Sequence, residues 1–208
     1  MSNIVFLHGY GANKEDLMPL SSYLQSSPEQ NFHFIDAPLE LPMMAGARAW
    51  FSITTQHFNS LAQGDSTKKF EQFIPEELDS SLDHIALELS KRPGFNEADD
   101  FYLAGFSQGS MCALHFYRKF YHRFNFKGMA LLSSHLVGKG LLEQAYSKLP
   151  QIPIFQSHGN QDQILKVAQG HCVRDFLAEN GFKVDYQEFN GGHEIPLAVI
   201  EKLKAFLS

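Results

Sequence analysis

The fold turns on residues 101–115, Phe101-Tyr102-Leu103-Ala104-Gly105-Phe106-Ser107-Gln108-Gly109-Ser110-Met111-Cys112-Ala113-Leu114-His115. Its first four residues are a continuous apolar run, the mark of a strand buried on both faces. Gly105 to Gly109 then read G-x-S-x-G, and residues 109–121 continue as an apolar helical pattern through Met111, Cys112 and Leu114. A serine at such a strand–turn–helix corner is held in a strained backbone conformation that lifts its Oγ above the sheet. Glycines two residues to either side leave room where a Cβ would strike the neighbouring strand and helix.

Outward from this corner, apolar strand patterns alternate with helical ones. Strands are expected at 4–7, 32–35, 101–104, 129–132, 152–155 and, as a half-exposed edge, 184–189. Helices are expected at 76–89, 109–121, 167–180 and 195–207. Another starts at Asn13, with Asp16 three residues on as its capping partner and Leu17, Leu20 and Leu24 as its apolar stripe. The alternation implies right-handed βαβ units: an α/β fold with a mostly parallel central sheet and helices on both faces. Residues 1–208 read as one domain. Within it, residues 39–75 are the least regular part, an insertion expected to form a lid or acyl groove.

Composition narrows the function. Lys and Arg number 17 against 23 Asp and Glu, a net charge of −6 with no basic cluster, so nucleic acid is not an expected partner. No apolar stretch approaches the roughly 20 residues that span a bilayer, and residues 1–3 are no basic leader, so no stable membrane insertion and a cytoplasmic location are expected. Cys112 and Cys172 show neither CxxC nor Cys/His ligand spacing; no metal or cofactor is expected.

Ligands of such sheets bind beyond the carboxyl ends of the strands. A serine hydroxyl there needs a base to take its proton, and the base needs a carboxylate to orient it. The chain order expected for this topology is Ser, then Asp or Glu, then His. Asp162, in His158-Gly159-Asn160-Gln161-Asp162, and His193, in Asn190-Gly191-Gly192-His193-Glu194, both follow predicted strands in that order. His8 comes too early and reads as structural. His158 is too near Asp162 to face it and reads as a brace of the acid loop. Glu194 is the alternative acid, but neighbouring residues of an extended loop point apart. The main-chain N–H of Gln108, at a helix N-terminus, supplies one oxyanion donor, and Tyr10, in Leu7-His8-Gly9-Tyr10-Gly11, the other.

Five segments occur in order along nearly the whole chain: Leu7-His8-Gly9-Tyr10-Gly11, Arg48-Ala49-Trp50-Phe51, Gly105-Phe106-Ser107-Gln108-Gly109, His158-Gly159-x-x-Asp162 and Gly192-His193-Glu194. Together they resemble the phospholipase/carboxylesterase family of α/β-hydrolases, which includes acyl-protein thioesterases and small bacterial carboxylesterases. The resemblance implies Ser107 as nucleophile, Asp162 as acid, His193 as base, and amide donors at Tyr10 and Gln108. Tyr10 stands where the family often has Leu. The implied substrate is a small acyl ester or thioester, with an acylated protein or lipid compatible. Trp50, Phe51, Phe58 and Phe70 are expected to line the substrate pocket, and aromatic residues near it are compatible with a homodimer contact. Beside this stand a noncatalytic ligand-binding protein of the same fold and a serine hydrolase acting on peptides or lactones.

Overall fold

The structure, a computed structural model, describes residues 2–42, 44–55, 57 and 67–208. Six strands form the main sheet: β1 (Ser2–Leu7), β2 (Gln30–Ile35), β5 (Asp100–Phe106), β6 (Asn125–Leu132), β7 (Ile154–Gly159) and β8 (Val184–Phe189). Their order is β2-β1-β5-β6-β7-β8, with every neighbouring pair parallel. Two short strands, β3 (Leu39–Glu40) and β4 (Arg48–Ala49), pair antiparallel inside the segment expected to be irregular.

The strands read as unbroken apolar runs because each face of the sheet has its own core. Val5, Leu7, Leu103, Met129, Leu131 and Ile154 point to one side; Ile4, Phe6, Ala104, Ala130, Leu132 and Phe155 point to the other. The alternation is the period of two of a pleated strand, with both phases apolar. The first side is covered by α3 (Thr67–Gln72), α4 (Leu78–Ser90), α5 (Gln108–Phe120), α6 (Lys139–Tyr146) and α7 (Val167–Glu179). The second is covered by α1 (Lys14–Leu17), α2 (Leu20–Leu24) and α8 (Leu197–Phe206).

Asn13 caps α1 as the sequence predicts: its side chain accepts from Glu15 N, and Asp16 reaches back to Asn13 N at 2.9 Å. The Leu17–Leu24 stripe, however, is two helices rather than one. Pro19 between them has no N–H to continue the ladder. Helix α6 is an element the apolar pattern did not announce: it opens on Gly138 in the left-handed region and buries only Leu142 and Tyr146.

The strand order reverses direction between β1 and β5. Loops leaving these two strands diverge there and open a crevice at the carboxyl edge, where parallel sheets bind ligands. The β1 loop carries Tyr10 and the β5 turn carries Ser107.

Candidate active site

Ser107 sits at the corner between β5 and α5 with φ 53° and ψ −119°, a left-handed conformation that a serine adopts only at a cost of about 1–3 kcal/mol. The surroundings enforce it. A Cβ on Gly109 would lie 2.1 Å from the Leu7 carbonyl oxygen, and one on Gly105 would lie 2.4 Å from the Gly109 backbone. The collision expected from the pentapeptide is thus between main chains, which have nowhere to move. Ser107 N donates to Leu132 O on β6 at 2.9 Å, and Ser110 Oγ donates to Ser107 O at 2.5 Å, so the turn is fastened on both sides.

The loops carrying Asp162 and His193 are fastened to each other. Asn160 N donates to Phe189 O and Gln161 N to Gly191 O, both at 2.9 Å, tying the loop after β7 to the loop after β8. Asp162 is 2% exposed. Its Oδ1 accepts from the N–H groups of Ile164 (2.8 Å) and Leu165 (2.9 Å), and its Oδ2 lies 2.6 Å from His193 Nδ1. Burial pushes the Asp162 pKa up, but the hydrogen bonds from His193, Leu165 and Ile164 outweigh that and hold it below the ordinary aspartate value. The carboxylate is therefore charged, and a charged acceptor requires the proton on His193 Nδ1. That leaves Nε2 as the basic nitrogen.

His193 is half-buried and lies against the Phe106 ring, 4.8 Å between centroids. Ser107, Gln108, Tyr10 and His193 line one cavity of about 250 Å³, together with Ile53, Met111, Ile164 and Leu165. Gln108 is the first residue of α5, so its N–H is among the first-turn amides with no acceptor inside the helix.

His8 and His158 hold structure. His8 Nε2 accepts from Ala37 N (3.0 Å) and Nδ1 donates to Gly9 O (2.8 Å), a neutral tautomer joining the ends of β1 and β2; burial lowers its pKa. His158 Nε2 donates to Leu165 O at 2.8 Å and lies 3.5 Å from Asp162 Oδ2, bracing the acid loop. Glu194 accepts from Gly192 N and turns away from the imidazole beside it in sequence.

The expected pocket aromatics are placed differently. Trp50, Phe51 and Phe70 are fully buried in the core on the α5 side of the sheet, and none lines the cavity; Phe58 lies outside the described residues. The reason is a polar clamp that pulls the Trp50–Phe51 main chain inward. Gln108 Oε1 accepts from Trp50 N (2.8 Å), Gln108 Nε2 donates to Phe51 O (2.7 Å), Ser81 Oγ donates to Trp50 O, and Trp50 Nε1 donates to His8 O (2.8 Å). The aliphatic Ile53, Met111, Ile164 and Leu165 take the aromatics' place.

One group escaped the sequence reading. Ser133, directly after β6, has φ 51°, and the Ser133-Ser134-His135 run is fully buried. His135 stacks on Phe70 at 5.4 Å, and burial holds its pKa down to about 3. Polar residues immediately after an apolar strand were the available signal.

A parallel sheet with a strained serine at its switch point, sharing a cavity with an imidazole backed by a buried carboxylate, is the architecture of an α/β-hydrolase. The phospholipase/carboxylesterase family model matches residues 2–208, and the chain belongs to that family. It is 28% identical to acyl-protein thioesterase 1 of Kluyveromyces lactis over 223 aligned positions, covering 99% of this chain and 90% of that protein. It is 26% identical to acyl-protein thioesterase 1 of Yarrowia lipolytica, covering 91% and 83%. The crystal structure of esterase PE8 superposes with a TM-score of 0.78 at 25% identity, covering 99% of this chain and 91% of that one. The chain is a serine hydrolase of ester or thioester bonds.

Proposed function

We propose that Ser107, His193 and Asp162 are the catalytic triad, that the Tyr10 and Gln108 amides form the oxyanion hole, and that the enzyme releases a short-to-medium acyl group from a small ester or thioester. The observation that carries this reading is the single cavity bringing the serine, the imidazole and both amide-bearing residues together, with Asp162 hydrogen-bonded behind the ring.

His193 Nε2 takes the Ser107 proton as Oγ attacks the acyl carbonyl carbon. The carbonyl π electrons move to oxygen, where the two amides stabilise the charge; losing one such donor costs about 10²–10³ in rate. Collapse breaks the bond to the leaving oxygen or sulfur, which departs with the proton from the imidazolium. Water, deprotonated by His193, then attacks the acyl-serine and restores Ser107. Asp162 stabilises the imidazolium and fixes the ring tautomer throughout.

Ile53, Met111, Ile164 and Leu165 give the acyl chain an apolar groove. At about 30 Å³ per water-sized group, 250 Å³ accommodates on the order of eight carbons. In this reading residues 1–208 are one domain, and the 39–75 segment supplies one wall of the groove through Ile53. No helix of the described residues is long and apolar enough to cross a membrane. Cys112 and Cys172 are unpaired, which fits a reducing cytoplasmic compartment. A panel of p-nitrophenyl esters and matching thioesters from C2 to C16 tests the reading. Activity peaking near C6–C8 is expected; hydrolysis of peptides or lactones with inert acyl esters would overturn it.

A further inference from the structure

Two concavities meet at His193. The acyl groove lies on the side of Ser107 and the oxyanion amides. The other, about 330 Å³, is lined by Leu17, Leu20, Phe106, Ile195, Asp16 and Glu194 together with His193. His193 is the one residue common to both. Neither Tyr10, Ser107 nor Gln108 lines the second, so it offers nothing to an oxyanion.

We propose that this second cavity is the leaving-group subsite, and that it accepts an apolar alcohol or thiol portion that is neutral or cationic and disfavours a polyanionic one. The inference rests on the triad reading above. Around a tetrahedral carbon bonded to Ser107, the oxyanion points to the amides and the acyl chain to the groove that holds them. The remaining substituent is the leaving atom, which must lie within reach of the imidazolium proton. A group extending from that atom past His193 enters the second cavity.

The chemistry of its walls sets the preference. Leu17, Leu20, Phe106 and Ile195 are apolar, and among the described residues no lysine or arginine lines the space. Its two charged side chains are carboxylates, each fixed by a backbone amide: Asp16 by Asn13 N at 2.9 Å, Glu194 by Gly192 N at 3.1 Å. The nearby Lys14 is spent on Asp36, 2.8 Å away. A phosphate-bearing leaving group would bring like charge into this space, well inside the roughly 10 Å over which 0.1 M salt screens.

The test compares kcat/KM on three octanoyl thioesters whose thiols are of similar basicity: ethyl, benzyl and coenzyme A. The benzyl substrate is expected to exceed the coenzyme A substrate at least tenfold at low salt, with the gap narrowing at 0.5 M NaCl. Leu20→Trp should lower the ratio of benzyl to ethyl turnover about tenfold. Asp16→Asn with Glu194→Gln should raise the ratio of coenzyme A to benzyl turnover severalfold. This second pair keeps the question decidable if the tryptophan variant folds poorly. Equal benzyl and coenzyme A rates, or charge-neutralised variants with no selective effect, would overturn the subsite. Fluorophosphonate labelling of Ser107 reads the triad independently: if labelling stands and leaving-group selectivity is absent, only the subsite fails, and if labelling is absent, the triad reading itself fails.

Discussion

The elbow around Ser107 and the buried wall around Trp50 and Phe51 behind the cavity meet at Gln108, yet they are built by different means. At the elbow, main chain meets main chain: the positions of Gly105 and Gly109 are set by backbone atoms 2.1–2.4 Å from where a Cβ would stand. At the wall, side chains decide, and two amide hydrogen bonds from Gln108 turn Trp50 and Phe51 away from the cavity into the core. The first kind of constraint is tied to residue type at fixed spacing. The second depends on partners 57–58 residues away along the chain. The elbow is therefore recognisable from residue type and spacing, and the packing of the wall is not.

The contrast can be broken most forcefully at the elbow. Ser107→Ala should lower kcat by about 10⁴ or more with an unchanged circular dichroism spectrum, since loss of a triad member leaves only binding and oxyanion stabilisation. Asp162→Asn should cost about 10⁴ in kcat, because the neutral amide no longer dictates which ring nitrogen of His193 carries the proton. Gly109→Ala places a methyl carbon against the Leu7 carbonyl; thermal melts should show severe destabilisation, beyond the about 1–3 kcal/mol of ordinary overpacking.

At the wall the effects are smaller. Gln108→Ala leaves the buried Trp50 N–H and Phe51 carbonyl unpaired, each costing about 1–3 kcal/mol. For a chain of this length each kcal/mol is about 2–4 °C in Tm. Gln108 keeps its main-chain amide in this variant, so a loss of stability larger than the loss of kcat would sharpen the division between the two regions.

The mildest test uses pH. Burial holds His135 to about 3 and His33 and His115 to about 4, while in the unfolded chain each titrates near its ordinary value of 6.5. Between these values the unfolded state binds more protons, so stability rises with pH across that window and falls as the solution is acidified below 6.5. Melts at pH 5 should therefore lie below those at pH 7.5. His135→Leu should flatten the slope, since no described residue hydrogen-bonds either ring nitrogen of His135.

Much of this architecture was legible because strands buried on both faces must be apolar throughout, and the sheet's strands near 4–7, 101–104 and 129–132 stand out for that reason. The proposed serine, acid and base stood out because each follows a strand in the expected order. What escaped had physical causes. Pro19 divides a continuous Leu17–Leu24 stripe that periodicity alone joins. Helix α6 buries two residues and begins on a glycine without a side-chain cap, so it has almost no sequence signal. Trp50, Phe51 and Phe70 look equally suited to a pocket or a core, and only the Gln108 clamp and the His135 stack decide between them. Ile164 and Leu165 reach the cavity because Asp162 Oδ1 gathers their amides in a local turn, and apolar periodicity carries no signal for such a turn.

The most direct measurement is the mass of the enzyme quenched during steady-state turnover of an octanoyl ester, followed by peptide mapping. One acyl group esterified to Ser107 is predicted, absent in Ser107→Ala. An acyl group mapped to another residue, or undiminished hydrolysis by the alanine variant, would contradict the account.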